Sequence, residues 1–173
     1  MQYRQVGKSG LRISAVSIGG WLTFGGSIEE DAAASVLKAS LDAGINFIDL
    51  ADIYAMGKAE EVAGRALRGL PRNELVISSK VFAKMSEDTN DRGLSRKHIF
   101  ESVDRSLRRL QTDYLDIYFC HREDPDTPME ETCRAMDDLV RMGKIHYWGT
   151  SVWTPEGLRE AHAIADKRNM VAP

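Results

Sequence analysis

Four polar residues, each at or just after the end of an apolar, strand-like run, are the part of this sequence best suited to chemistry. Asp49 and Lys80 end two successive runs, and His121 ends a later one. Tyr54 follows Asp49 by five residues. A helix-like segment follows each run, so the four residues are predicted to lie at the same end of successive β-α units. In parallel β/α barrels that end carries the active site.

The four side chains suit the delivery of a proton to a carbonyl oxygen. Unpaired charges at strand ends are costly, so we predict an ion pair between Asp49 and Lys80. A phenol is a weak acid at neutral pH unless a cation stabilises the phenolate, and Lys80 can make Tyr54 a general acid in this way. His121 can donate a hydrogen bond to a substrate oxygen. Amino-acid side chains cannot supply a hydride, so a nicotinamide cofactor is implied. Asp52 is expected to bind backbone in its loop and stays outside the catalytic set.

Five short apolar runs are predicted to form the strands that position these residues. They cover residues 16–19, 46–50, 74–79, 114–120 and 145–149. Their nearly continuous apolar character is typical of parallel strands that are buried on both faces. A small hairpin, from residues 3–6 and 11–13, is predicted to precede them because the intervening turn contains two glycines.

The segments between the strands carry helix start signals. Residues 27–30 and 127–130 each fit a capping box, in which a hydroxyl and a glutamate satisfy unpaired backbone N–H groups. Pro128 suits the first helical position of the second of these helices. Ser95 and Thr154 are predicted N-caps of two further helices.

The fold class predicted from this alternation is α/β, with a parallel barrel of the (β/α)8 TIM type. Gly44 and Gly143 are predicted to end helices just before a strand, which gives the short turns of βαβ units. A closed barrel needs about 250 residues, so residues 1–173 are interpreted as the N-terminal part of one barrel domain, with about five units. A doubly wound sheet is the alternative, but the glycine-rich loop at residues 19–26 does not fit GxGxxG.

Composition excludes several classes of protein. The chain is 43% hydrophobic and 28% charged, with a net charge of −3. The basic residues at 105–109 sit beside Glu101 and Asp104, which indicates a solvated helix face rather than a nucleic-acid site. Cys120 and Cys133 lack CxxC spacing, so a disulfide scaffold is excluded. No histidine spacing indicates a metal site. Without an apolar run long enough for a signal peptide or membrane span, we expect a cytoplasmic protein.

Several segments resemble the aldo-keto reductases. These are residues 47–54, 79–80, 114–121 and 147–151. Residues 20–26 and 124–131 are most similar to the branch that contains potassium-channel β-subunits and their bacterial relatives. The resemblance extends over essentially all 173 residues, in the same order.

The resemblance implies a role for each candidate residue. Tyr54 is implied as the proton donor, Lys80 as the cation beside it, Asp49 as the support for Lys80, and His121 as the residue that orients the carbonyl. The implied cofactor is NADP(H). The residues implied to contact it are Gly20 and Trp21 near the ribose, Asp49, and Ser151 at the nicotinamide carboxamide.

Three positions depart from the pattern of the family. Channel β-subunits carry asparagine where this chain has His121, so His121 favours an enzyme. Val152 stands where relatives place asparagine or arginine, which removes one polar cofactor contact. Leu50 replaces the usual threonine or serine and is expected to be tolerated.

The leading hypothesis is a reductase that converts small aldehydes or ketones to alcohols with NADPH. The alternative is a regulatory β-subunit of a potassium channel, and association as a homo-oligomer or with a channel stays open. A third hypothesis is an inactive, truncated fragment, because residues 169–173 resemble the lead into a sixth strand. We expect the 173-residue chain alone to be inactive, to bind NADPH poorly and to self-associate, because two sheet edges would be unpaired.

Overall fold

The computed structural model describes residues 1–28 and 30–173. The chain begins with the predicted antiparallel hairpin, which pairs β1 (Tyr3–Gln5) with β2 (Arg12–Ser14). Asn46 connects this hairpin to the sheet, because its side-chain Oδ1 accepts a hydrogen bond from the Ser14 backbone N–H at 2.7 Å. Asn46 immediately precedes a sheet strand, so the hairpin is attached at the N-terminal end of the sheet.

Five parallel strands form the main sheet. They are β3 (Ile18–Gly19), β4 (Phe47–Asp49), β5 (Val76–Val81), β6 (Leu115–Cys120) and β7 (Ile145–Thr150). Their order in the sheet is their order in the chain, and every neighbouring pair is parallel. A doubly wound sheet contains a point where the order reverses, and the described strands have none. The prediction of a parallel β/α barrel type, here as a partial barrel, is confirmed.

Most strand boundaries lie within one residue of the predicted ones, and only those of β5 and β3 differ by two residues. β5 continues to Val81, so Lys80 lies inside the strand rather than at its end. It also begins two residues late, because residues Arg72–Glu74 form a 3₁₀ turn in which the Glu74 N–H donates to Pro71 O at 3.0 Å. β3 is shorter than predicted, since its first predicted residue, Val16, is exposed.

In the described part of the chain, five α-helices alternate with the strands. They are α1 (Glu30–Asp42), α2 (Lys58–Ala66), α3 (Arg96–Leu110), α4 (Met129–Arg141) and α5 (Pro155–Arg168). Each helix contacts the next helix along the chain. A second 3₁₀ turn, Tyr54–Gly57, leads from the loop after β4 into α2.

The single-residue helix signals are confirmed. The hydroxyls of Ser95 and Thr154 each accept a hydrogen bond from the backbone N–H three residues later, at 3.2 and 3.0 Å. Gly44 and Gly143 follow α1 and α4 in the left-handed conformation, with φ of +85° and +72°. These caps hold the helix ends next to the strands that the sequence predicts.

The capping box predicted at residues 127–130 is wrong. The Thr127 hydroxyl donates to Asp124 Oδ2 at 2.8 Å, which turns it toward that carboxylate, and Pro128 takes the N-cap position without a side-chain bond. Glu130 pairs with arginine side chains instead. The other predicted box, at residues 27–30, includes residue 29, which lies outside the described residues.

The core lies between the sheet and the helices. Its large, fully buried side chains come from both layers: Ile48, Ile77, Leu115 and Ile145 from the strands, and Leu37, Ile99, Met136 and Leu139 from the helices. Burial of such a side chain contributes roughly 1.5–3 kcal/mol. This packing fixes the strands, and therefore the residues at their ends, relative to one another.

Within residues 1–28 and 30–173, no helix combines the length and the apolar character needed to cross a membrane. The same residues contain no group of three or more histidine, cysteine, aspartate or glutamate side chains placed to hold a metal ion.

Candidate active site

Lys80 is the centre of the candidate site. Its Nζ lies 2.8 and 2.9 Å from the two carboxylate oxygens of Asp49, so the predicted ion pair is present. The same Nζ donates to Leu50 O at 2.7 Å and lies 3.2 Å from the Tyr54 hydroxyl. Lys80 is only 7% exposed. The neighbouring parallel strands β4 and β5 therefore bring a buried cation against both a carboxylate and a phenol.

Ser78 also belongs to this group, and the sequence interpretation missed it. Its Oγ donates to Asp49 Oδ1 at 2.7 Å. Ser78 precedes Lys80 by two residues in β5, and residues two apart in a strand point to the same face. This two-residue spacing from Lys80 is the sequence signal that could have identified Ser78. The bond gives the Asp49 carboxylate a second, uncharged donor that fixes its orientation.

A tight turn positions Tyr54. Its backbone N–H donates to Ala51 O at 3.1 Å, and the two residues that follow, Ala55 and Met56, have φ of +49° and +54°. Left-handed backbone is unusual for residues other than glycine. The turn directs the phenol back toward β5, where Lys80 Nζ lies 4.9 Å from the centre of the ring.

His121 follows β6 and faces the phenol. The rings of His121 and Tyr54 meet edge to face, with centroids 6.0 Å apart. Burial lowers the pKa of His121, and the positive charges of Lys80 and Arg122 lower it further, against a smaller opposite effect of Asp49. His121 is therefore neutral at neutral pH, with one N–H to donate.

The residues implied to contact a cofactor lie at the same end of the sheet. The Gly20 N–H donates to Asp49 O at 2.9 Å, and the Ser151 N–H donates to Cys120 O at 3.0 Å. The Ser151 hydroxyl has no hydrogen-bond partner among the described residues. Trp21 is 65% exposed, so a broad apolar ring is open beside Asp49. A free hydroxyl and an exposed ring fit a ligand that has a flat ring and a carboxamide.

A cavity of about 550 Å³ opens above Tyr54 and His121. Trp21 and Phe24 contribute apolar walls, and Arg122 stands at the edge. Arg122 is exposed and has no ion-pair partner in the described part of the chain. The cavity is of the size that holds small organic molecules.

Strained backbone is concentrated around this cavity. Four residues other than glycine in this region have positive φ: Leu22, Ala55, Met56 and Val152. Val152, with φ of +57°, is β-branched, for which this conformation is especially unfavourable. Such residues cluster at functional sites because the surrounding structure imposes the conformation.

Asp52 differs from the sequence interpretation. An interaction with loop backbone at Ile53 is present, but the carboxylate also leaves the loop and accepts a hydrogen bond from Ser102 Oγ of α3 at 2.8 Å. Asp52 is fully buried, and burial raises its pKa to about 7. A carboxyl that titrates near neutral pH is a common property of active-site regions.

The fold and the site together define a β/α-barrel protein with an aspartate, a lysine, a tyrosine and a histidine at the carboxyl ends of its strands. Residues 15–172 match the Aldo/keto reductase family. The chain belongs to the aldo/keto reductase family, and this membership supports oxidoreductase chemistry in general.

Two similar proteins come from plants. A probable voltage-gated potassium channel subunit beta of Arabidopsis thaliana is 47% identical over 175 residues, which cover 100% of this chain and 53% of that protein. A protein with the same description from Oryza sativa subsp. japonica is 46% identical, with the same coverage. The chain therefore spans about half the length of these relatives.

Proposed function

We propose that the whole protein that carries this chain reduces small aldehydes or ketones to alcohols with NADPH. The observation that carries the proposal is the position of Lys80 Nζ, which lies within hydrogen-bond distance of both the Asp49 carboxylate and the Tyr54 hydroxyl. When bound, the cofactor supplies the hydride to the carbonyl carbon. The chain itself has to supply the proton to the carbonyl oxygen.

Tyr54 is the proposed proton donor. When its O–H bond breaks, a negative charge develops on the phenol oxygen, 3.2 Å from the Lys80 ammonium group. An adjacent cation favours the ionised form of an acid. Asp49 keeps the ammonium group charged and in place through its two short bonds. Only the phenol proton then has to move.

His121 is the proposed orienting residue. A neutral imidazole carries one N–H, which can donate to the carbonyl oxygen without competing with Tyr54 for the role of acid. The lowered pKa of His121 supports this neutral state. Gly20, Trp21 and Ser151 are the proposed holders of the nicotinamide part of the cofactor.

The test is reduction of 4-nitrobenzaldehyde by the whole protein, followed through the absorbance of NADPH. Tyr54→Phe is expected to lower kcat by about 10²–10⁴-fold, the usual contribution of a general acid. The affinity for NADPH should stay the same, because only one hydroxyl is lost. Tyr114→Phe is the matched control, since Tyr114 precedes β6 at the opposite end of that strand from His121.

Two results would contradict the proposal. One is a Tyr54→Phe protein that reduces the aldehyde as fast as the unchanged protein. The other is a whole protein that binds NADPH tightly and never oxidises it with any reactive aldehyde.

The alternative function is that of a regulatory β-subunit of a potassium channel. The similarity to two plant proteins described as probable potassium channel β-subunits favours it. Binding of NADPH without turnover, together with co-purification with a channel protein, would favour this function over the reductase. His121 supports the reductase, because it stands where the resemblance places asparagine in channel β-subunits.

Residues 1–173 are proposed to form the N-terminal part of a single barrel domain in a cytoplasmic protein. Two observations support this. The strands of the sheet lie in the order in which they occur in the chain, and Cys120 and Cys133 are both free and buried. Free thiols are the usual state in a reducing compartment.

A further inference from the structure

A cluster of buried polar side chains lies behind the candidate site. We call it the buried polar cluster, and its members are Asp52, Glu60, Ser79, Ser102, Arg109 and Tyr118. Ser79 stands between Ser78 and Lys80 in β5, so it points to the opposite face of the sheet from those two residues. The cluster therefore occupies the helix side of the sheet, whereas Lys80 faces the site.

Asp52 and Tyr118 are the members of the cluster that each have a buried polar atom without a hydrogen-bond partner among the described residues. One carboxylate oxygen, Oδ2, accepts from Ser102 Oγ at 2.8 Å. The other, Oδ1, is buried and makes no hydrogen bond of normal geometry within residues 1–28 and 30–173, although the backbone of Ile53 interacts weakly with the carboxylate. The Tyr118 hydroxyl is likewise buried and lacks a partner among these residues. A charged carboxylate in this position is costly, whereas a neutral carboxyl has no charge to solvate.

The charges that face Asp52 come from each element packed against it. Glu60 of α2 is fully buried and accepts from Arg109 of α3 at 2.6 Å and from Ser79 of β5 at 2.5 Å. Burial raises the pKa of Asp52, and the negative charge of Glu60 raises it further, while Ser102 and Arg109 act in the opposite direction.

Asp52 is also connected to the two residues proposed to deliver the proton, Lys80 and Tyr54. Its backbone N–H donates to Lys80 O at 3.2 Å. The segment that contains it, residues 50–54, begins with Leu50 O, which accepts from Lys80 Nζ at 2.7 Å, and ends with the Tyr54 phenol. Asp52 therefore lies inside the short segment that connects one Lys80 contact to the Tyr54 phenol.

We propose that Asp52 is a positioning residue whose neutral carboxyl holds residues 50–54 in the reactive arrangement and whose ionisation releases them. This inference rests on the proposed reductase function. Once ionised, the carboxylate has one oxygen without a donor and Glu60 nearby, so it moves away from its buried position and carries the Tyr54 turn with it.

The test uses the whole protein with NADP⁺ present. In a sample with carbon-13 labelled aspartate, the Asp52 Cγ resonance, assigned by its absence in Asp52→Asn, is expected to titrate near pH 7. The ring resonances of Tyr54, assigned with Tyr54→Phe, are expected to shift with the same midpoint. In Asp52→Asn, which imitates the neutral acid, the shift of the Tyr54 resonances near that pH should disappear.

The kinetic readout is kcat/KM for 4-nitrobenzaldehyde as a function of pH. In the unchanged protein it should fall about tenfold between about pH 6 and about pH 8, as the neutral form becomes rare. In Asp52→Asn, kcat/KM should stay across this range at the value that the unchanged protein has near pH 6. Asp113→Asn, an exposed aspartate before β6, is the matched control and should leave the fall unchanged.

Ser102→Ala gives a second test if Asp52→Asn does not fold. Loss of the hydroxyl that stabilises the charged form should move the Asp52 midpoint and the kinetic fall to higher pH together. The proposal is overturned if the Asp52 carboxyl titrates below about pH 5. It is also overturned if the Tyr54 resonances do not shift as that carboxyl titrates. If the protein reduces no aldehyde yet the two titrations coincide, the reductase function fails while the positioning role stands.

Discussion

Among the contacts of the buried polar cluster, we expect the ion pair between Arg109 and Glu60 to contribute most to the free energy of unfolding. Arg109 Nε lies 2.6 Å from Glu60 Oε2, and the Glu60 side chain is 0% exposed. Arg109→Met removes the guanidinium group but keeps an unbranched side chain, which preserves packing against Gly57. Among the residues that the structure describes, Glu60 then retains only the Ser79 hydroxyl as a donor. Removal of one partner of a buried ion pair costs about 3–5 kcal/mol.

The assay is urea unfolding of the whole protein, followed by tryptophan fluorescence. With a slope of about 2 kcal/mol/M, a loss of about 4 kcal/mol lowers the midpoint by about 2 M. Arg108→Met is the matched control, because Arg108 is the exposed neighbour and has no ion pair in the described residues. Its effect should stay within about 0.5 kcal/mol.

A second substitution separates the buried charge from the loss of contacts. Adding Glu60→Gln to Arg109→Met removes the stranded charge, so the double variant should be more stable than Arg109→Met alone. The reasoning is refuted if Arg109→Met unfolds at the same urea concentration as Arg108→Met. It is also refuted if the double variant is the less stable of the two.

Two further predictions concern stability. Val152→Asn should raise the free energy of unfolding by about 1 kcal/mol, because asparagine tolerates the φ of +57° and the side chain is 69% exposed; Val16→Asn, also at an exposed valine, is the control, and an equal gain there would contradict the argument. Asp52 has a folded-state pKa of about 7, above its ordinary 3.8. Its contribution to stability is therefore fully present below about pH 4 and is lost as the pH rises to about 7, by at most about 4 kcal/mol. Asp52→Asn should show a flatter dependence of unfolding free energy on pH across this window, and parallel curves for the two proteins would refute it.

Local rules were enough to predict the front of the candidate site. Asp49 ends β4, and Lys80 lies one residue before the end of the neighbouring parallel strand β5. Buried opposite charges at such adjacent positions pair. The N-caps at Ser95 and Thr154 depend only on the three residues that follow each of them. The catalytic roles of these side chains remain predictions, although the geometry that they require is present.

The contacts of the buried polar cluster could not be predicted from local rules. Asp52 and Ser102 are 50 residues apart in the chain, and Glu60 and Arg109 are 49 apart. Their contacts depend on how α2 and α3 pack, and no local pattern encodes that packing. Thr127 was misassigned for a related reason: Asp124 competes with the helix N-terminus for its hydroxyl, and both outcomes satisfy the same sequence pattern.

The order of the strands has a consequence for how the chain folds during synthesis. Each strand of the sheet pairs with the strand made just before it, so a growing chain meets each partner already in place. Residues 49–80 contain the whole contact between Asp49, Tyr54 and Lys80. This contact can therefore form before β6 and His121 emerge from the ribosome, with His121 added to an existing arrangement.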